Sequence, residues 1–81
     1  MKVKIKGVLH LKELIGNERE LDIPENLKIG ELLSCFLPQL KDLNSPMRIL
    51  INGQSINFLN GMETLLKEGD EITFLPFATG G

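Results

Sequence analysis

The sequence ends Leu75-Pro76-Phe77-Ala78-Thr79-Gly80-Gly81, and its last four residues are small and carry no ionisable side chain. What such an end offers is the chemistry of its terminal carboxylate. A tail threaded into another protein's active site must be thin, and glycine brings the backbone up to a nucleotide without a Cβ clash. The same absence leaves the Gly81 carbonyl open to attack. A carboxylate is a poor electrophile, so it would need ATP and an acyl-adenylate before a sulfur donor could displace AMP and leave a thiocarboxylate. A partner must run both steps. At a glycine frequency of about 7%, two terminal glycines arise by chance in about 0.5% of chains, so the pair is worth weighing against a tail without function.

Two further residue types could do chemistry. His10 is the single histidine. It is expected to end the first strand on the outward side, beside Lys12 and Glu13, and a general base needs a positioned partner that the sequence does not supply. Cys35 is the single cysteine, so the chain can form neither an internal disulfide nor a cysteine metal cluster. Cys35 should be half exposed, with no Lys, Arg or His adjacent to activate its thiol. Neither residue is expected to be catalytic, no metal or cofactor is expected to be bound by the chain itself, and ATP would be used by the activating partner.

Eighty-one residues make one small domain with a modest core. A large internal active site is therefore not expected, and function should sit on the surface or at an end. The formal net charge of -2 gives no basic field for nucleic acid. The apolar runs fall well short of the roughly 20 residues of a membrane span, and the lysine-bearing N-terminus alternates charge with hydrophobe instead of leading into an apolar block. The expectation is a cytoplasmic, unprocessed protein with neither nucleic-acid nor membrane partners.

The elements that would hold the tail follow from periodicity. Lys2 to Leu9 alternates, with Val3, Ile5 and Leu9 on the core side and Lys2, Lys4 and Lys6 on the other, the pattern of a half-buried strand. The lysines read as a solvated face that could also guide an acidic partner. After a loop containing Gly16 and Asn17, the run Arg19, Leu21, Ile23 predicts a second strand closing at Pro24 and pairing back on the first.

From Ile29 the period becomes helical: Ile29, Leu32, Leu33, Phe36, Leu37 and Leu40 share one face. Lys28 stands where a capping side chain is expected, and Pro38 should end or kink the helix. Met47 to Asn52 predicts a third strand that turns at Asn52-Gly53. Gln54 to Asn60 reads as a short strand or irregular segment, Met62 to Leu66 as a single helical turn, and Lys67-Glu68-Gly69-Asp70 as a turn before a last strand, Glu71 to Leu75.

This order predicts an α+β fold, a β-grasp with a mixed four- to five-stranded sheet and one main helix packed on one face. Residues 1–76 would form the domain and 77–81 a flexible tail. The last strand should lie centrally, parallel to the first. By parity Ile72 and Phe74 face the helix, while Thr73, Leu75, Val8 and Leu50 face away and Phe77 continues that side. An apolar partner-binding patch is expected there, at the root of the tail.

The chain resembles the ubiquitin-like sulfur carriers over nearly its whole length, and most of all the small subunit of molybdopterin synthase. The match is carried by Leu11-Lys12-Glu13-Leu14-Ile15-Gly16, Leu21-Asp22-Ile23-Pro24-Glu25, Ile29-Gly30-Glu31-Leu32-Leu33, Asn52-Gly53, Leu66-Lys67-Glu68-Gly69-Asp70-Glu71-Ile72, Phe74-Leu75-Pro76 and Gly80-Gly81. The resemblance implies that Gly81 is adenylated by an adenylyltransferase like the ubiquitin-activating enzymes and becomes a thiocarboxylate, with Gly80 its necessary neighbour and Ala78 and Thr79 gripped by partners. The sulfur would then pass to a pterin precursor in the large synthase subunit, making this chain a non-catalytic subunit in molybdenum cofactor biosynthesis. The sequence departs from that subunit at Phe77, where a second proline is common, and at Lys28, where a threonine-like cap is usual. Carriers for thiamin, cysteine or tungsten-pterin pathways, and archaeal modifiers that join lysines, share the same tail chemistry.

Overall fold

The computed structural model describes residues 1–41 and 47–76. Strand β1 (Lys2–Gly7) buries Val3, Ile5 and Gly7 and turns its lysines outward, as its alternation requires. The expected continuation of that alternation to Leu9 fails. Leu9 is 67% exposed with φ at 57°, because the chain leaves the strand and turns into a short helix, α1 (Leu11–Ile15). Leu11 and Ile15 take the core positions instead. The segment read as a loop therefore holds a helix, and His10 is the residue before it rather than the end of a strand. What makes this turn fit is Gly7: a Cβ there would lie 2.8 Å from both the Gly16 carbonyl oxygen and the Lys12 Cα.

Strand β2 (Glu18–Asp22) pairs antiparallel with β1, Val3 opposite Leu21 and Ile5 opposite Arg19. Helix α2 (Ile29–Phe36) follows the apolar stripe, and Pro38 closes it and opens one further turn, α3 (Pro38–Lys41), so that Leu37 and Leu40 still reach the core. The start of α2 is marked from inside the helix. The Lys28 backbone N–H donates to Glu31 Oε1 at 2.9 Å, and the Lys28 ammonium pairs with Glu63 at 2.7 Å. A carboxylate in the first turn, rather than a capping side chain before it, satisfies the helix end.

Strand β3 (Met47–Ile51) turns at Asn52 and Gly53, whose φ values of 53° and 84° suit the Asn-Gly pair, into a two-residue strand β4 (Gln54–Ser55). Two 3-10 turns follow, Ile56–Phe58 and Gly61–Glu63. The helical turn expected over Met62 to Leu66 is thus shorter and earlier, and Leu65 instead bridges to Lys28. Strand β5 (Glu71–Pro76) runs parallel to β1 and antiparallel to β3, giving the sheet order β2-β1-β5-β3-β4.

This is the β-grasp: one mixed five-stranded sheet with α2 across one face. Ile29, Leu32 and Leu33 of α2 share a buried cluster with Val3, Ile5, Ile49, Ile51, Ile72 and Phe74. Phe74 and Ile72, with no exposed surface, hold the middle of that core. Losing a buried phenylalanine to alanine typically costs about 3–5 kcal/mol, so β5 is the strand on which the fold depends most. It is also the strand that precedes residues 77–81 in the chain.

Candidate functional site

The described part of β5 ends at Pro76, which lies opposite Met47 on β3. Gly80 and Gly81, and with them Phe77, Ala78 and Thr79, lie outside the described residues. The structure does describe the platform from which they start. On β5 the alternation buries Ile72 and Phe74 and leaves Thr73 and Leu75 half-buried on the open face of the sheet. Register then places Leu50 and Lys6 on either side of Thr73, and Arg48 opposite Leu75. Val8, one residue past β1 and also half-buried, stays in the ladder by donating its N–H to the Phe74 carbonyl at 3.0 Å.

Val8, Leu50 and Leu75 thus share the face that parity assigned them, but the patch is not purely apolar. Thr73 stands between its members, and Lys6 and Arg48 border it. A surface of this kind, mostly aliphatic with charged side chains at its border, matches the apolar-core and polar-rim anatomy of protein interfaces.

Lys4 and Lys6 on the open face are charge-paired. Lys2, Lys4 and Lys6 lie opposite Asp22, Glu20 and Glu18 on β2. Lys4 forms an ion pair with Glu18 at 3.2 Å and Lys6 one with Glu71 at 3.6 Å. The hydrogen bond that Lys4 donates to Glu18, and then the charge of that carboxylate, hold the Lys4 ammonium above the ordinary lysine pKa. The lysine stripe is therefore balanced by acidic neighbours and makes a weak guide for an acidic partner.

His10 is exposed, and Cys35 projects exposed from α2. Among the described residues no group of three or more His, Cys, Asp and Glu side chains could hold a metal. No helix among them is long and apolar enough to cross a membrane.

Two features escaped the sequence reading. One is Leu9, turned out of the core at the end of β1. The i, i+4 pair Leu11 and Ile15 followed by Gly16 was the available signal that a helix, not an extended loop, begins there. The other is the side chain of Asn52, which bonds Asp70 and thereby fastens the β3 turn to the start of the tail-bearing strand. The Asn-Gly dipeptide signals the turn but not that partner.

The model of the ThiS family matches residues 9–81, from just past β1 through both terminal glycines. The chain belongs to the ThiS family. A protein of Archaeoglobus fulgidus described as a sulfur carrier is 30% identical to this ThiS-family chain across all of it and 98% of the relative. The solution structure of small archaeal modifier protein 1 from Methanosarcina acetivorans is 35% identical, with a TM-score of 0.73 over 99% of this chain and 96% of that one. A Pyrococcus furiosus structure described as molybdopterin converting factor subunit 1 superposes with a TM-score of 0.75 at 23% identity, covering 94% of this chain and 97% of its own. That last likeness concerns the fold. Together these findings make the chain a ubiquitin-like protein of the sulfur-carrier and small-archaeal-modifier type.

Proposed function

We propose that this protein carries sulfur as a thiocarboxylate on Gly81. In the first step the Gly81 carboxylate attacks the α-phosphorus of an ATP held by a ubiquitin-activating-enzyme-like adenylyltransferase, and pyrophosphate leaves. In the second, a sulfide equivalent from a donor attacks the acyl carbon and AMP leaves. Transfer of the sulfur to an acceptor, with water supplying the oxygen, restores the carboxylate. Gly80 keeps the approach to the acyl carbon free of a Cβ. Ala78 and Thr79 pass through the partner's channel, and Phe77, Leu75, Val8 and Leu50 dock at its mouth. The acceptor we favour is a pterin precursor in a large subunit like that of molybdopterin synthase, on the strength of the motif pattern that ends in Phe74-Leu75-Pro76 and Gly80-Gly81.

The observation that carries this reading is that the family match continues through Gly80 and Gly81. Incubation with the adenylyltransferase, ATP and a sulfur donor should exchange one oxygen of Gly81 for sulfur, as read by intact-mass and C-terminal peptide spectrometry. A mass gain that maps to Cys35, or one that persists after Gly81 is deleted, would falsify it. Sulfur transfer to the pterin precursor in the presence of the purified large subunit then tests the acceptor.

A second reading has a specific observation in its favour. The 35% identity to small archaeal modifier protein 1 supports a modifier whose activated Gly81 is joined to lysines. Both readings share the adenylation step and part after it. Lysine-linked conjugates recovered from native cells would mark the modifier, and free thiocarboxylate the carrier.

A further inference from the structure

Leu9 sits in a backbone conformation that leucine rarely adopts, with φ at 57°, and its side chain is 67% exposed. Glycine or asparagine would take this turn at lower cost. A leucine here therefore weakens the turn while giving little to the core, since Leu11 fills the buried position beyond it. Strain of this kind, kept together with an exposed apolar side chain, points to a use outside the chain.

Its location says which use. Strands β1 and β5 are parallel neighbours with Gly7 opposite Phe74, so both end at the same edge of the sheet. Leu9 lies two residues beyond Gly7, and Pro76 two residues beyond Phe74. From Pro76 to Gly81 an extended chain reaches at most about 17 Å. Whatever protein holds the Gly81 carboxylate must come up against this edge. A standard interface covers about 800 Å² on each partner, a disc of about 16 Å radius, while neighbouring strands stand about 4.8 Å apart. Leu9 falls inside that footprint.

We propose that Leu9 is an anchor for the enzyme that adenylates Gly81, entering an apolar recess on that enzyme beside the channel that receives the tail. The proposal rests on the reading of Gly81 as the activated residue. It names the activating enzyme rather than a later acceptor because adenylation is the step that both the carrier and the modifier reading require. Val8, Leu50 and Leu75 present the open face of the sheet to the same partner. Leu9 contacts it from the end of the sheet, so the enzyme grips two surfaces that meet at the tail.

The test is ATP–pyrophosphate exchange by the purified adenylyltransferase of the same organism, with this protein as the varied substrate. Leu9→Asn keeps the turn and removes the apolar side chain. It should raise KM about thirtyfold with kcat little changed, while its melting temperature equals or exceeds that of the parent. Leu9→Met should retain most of the affinity. Ile5→Val, a mild core defect, should lower the melting temperature and leave KM unaltered, which separates docking from stability. An unchanged KM for Leu9→Asn, or a rise matched by Ile5→Val, overturns the proposal. Deletion of Gly81 is read in the same assay. If exchange survives that deletion, it is the reading of Gly81 that falls, whatever Leu9 does.

Discussion

The side-chain amide of Asn52 donates to Asp70 Oδ1 at 2.9 Å, and its carbonyl oxygen accepts the Glu71 N–H at 3.0 Å. Asp70 Oδ2 in turn accepts the Lys67 N–H at 2.8 Å. One asparagine at a hairpin turn thereby fastens the β3–β4 corner to the start of β5, the strand that carries the tail. Asn52→Ala removes both bonds and places an ordinary residue at a φ of 53°. We expect a loss of about 2 kcal/mol, from two hydrogen bonds of about 1 kcal/mol or less each and the left-handed backbone. Urea denaturation measures it. Asn52→Gly should recover the backbone part, so equal losses in both variants would leave the hydrogen bonds as the whole effect.

Gly7 is where α1 touches β1, and the atoms a Cβ would strike at 2.8 Å, the Gly16 oxygen and Lys12 Cα, belong to the backbone. Gly7→Ala must push the helix away, and overpacking of this sort costs about 1–3 kcal/mol. Amide exchange should accelerate along Leu11–Ile15 more than along α2. A variant as stable as the parent would show that α1 moves freely.

The Lys28 ammonium is held above the ordinary lysine pKa of 10.5 by its hydrogen bond to Glu63 and then by that residue's charge. A lysine whose pKa is raised on folding stabilises fully below its unfolded value, and the contribution fades as pH climbs through the higher folded value. The melting-temperature gap between the parent and Glu63→Gln should therefore be constant at neutral pH and close above about pH 10.5. Added salt should narrow it at any pH, because the pair is exposed. A gap that widened in strong alkali would contradict the pairing.

Adding one bulky residue after Gly81 should block adenylation and leave the melting temperature within about 1 °C of the parent, since chain ends that take no part in packing tolerate change. Differential scanning calorimetry and pyrophosphate exchange read the two properties separately. A marked drop in melting temperature would instead assign the tail to the folded domain.

Leu75 stands half-buried on the open face opposite Arg48, and Phe77 follows it past Pro76. Removing an apolar interface anchor costs about 2 kcal/mol, a weakening of about thirtyfold. Titration calorimetry of Leu75→Ala and Phe77→Ala against the purified adenylyltransferase or acceptor subunit should show it. Affinity unaltered toward both partners would leave the face without a docking role.

What the sequence determined by itself is what depends on short stretches of chain. The lysine–hydrophobe alternation specified β1, the apolar stripe from Ile29 specified α2, Pro38 its end, and Asn52-Gly53 the sharp turn after β3, because strand, helix and turn each impose a period or a φ sign on a few neighbouring residues. The terminal Gly80-Gly81 pair is local in the same sense, and the role proposed for it rests on residues outside those the structure describes. Tertiary structure decided what depends on distant residues. The Lys4 N–H meets the Asp70 carbonyl at 2.8 Å across most of the length of the chain, and that contact, with the parallel register from Lys4–Glu71 to Gly7–Phe74, sets how β5 lies beside β1. The fate of Leu9 was decided the same way. Alternation would have buried it had β1 continued, but Gly7 packs closely against α1 and Leu11 takes the core site, so Leu9 turns outward past the end of β1. Likewise the face that parity made aliphatic acquires its charged border because register sets Arg48 and Lys6 beside Leu75 and Thr73. Strand pairing across long sequence separations is a property of the whole fold, and no local period encodes it.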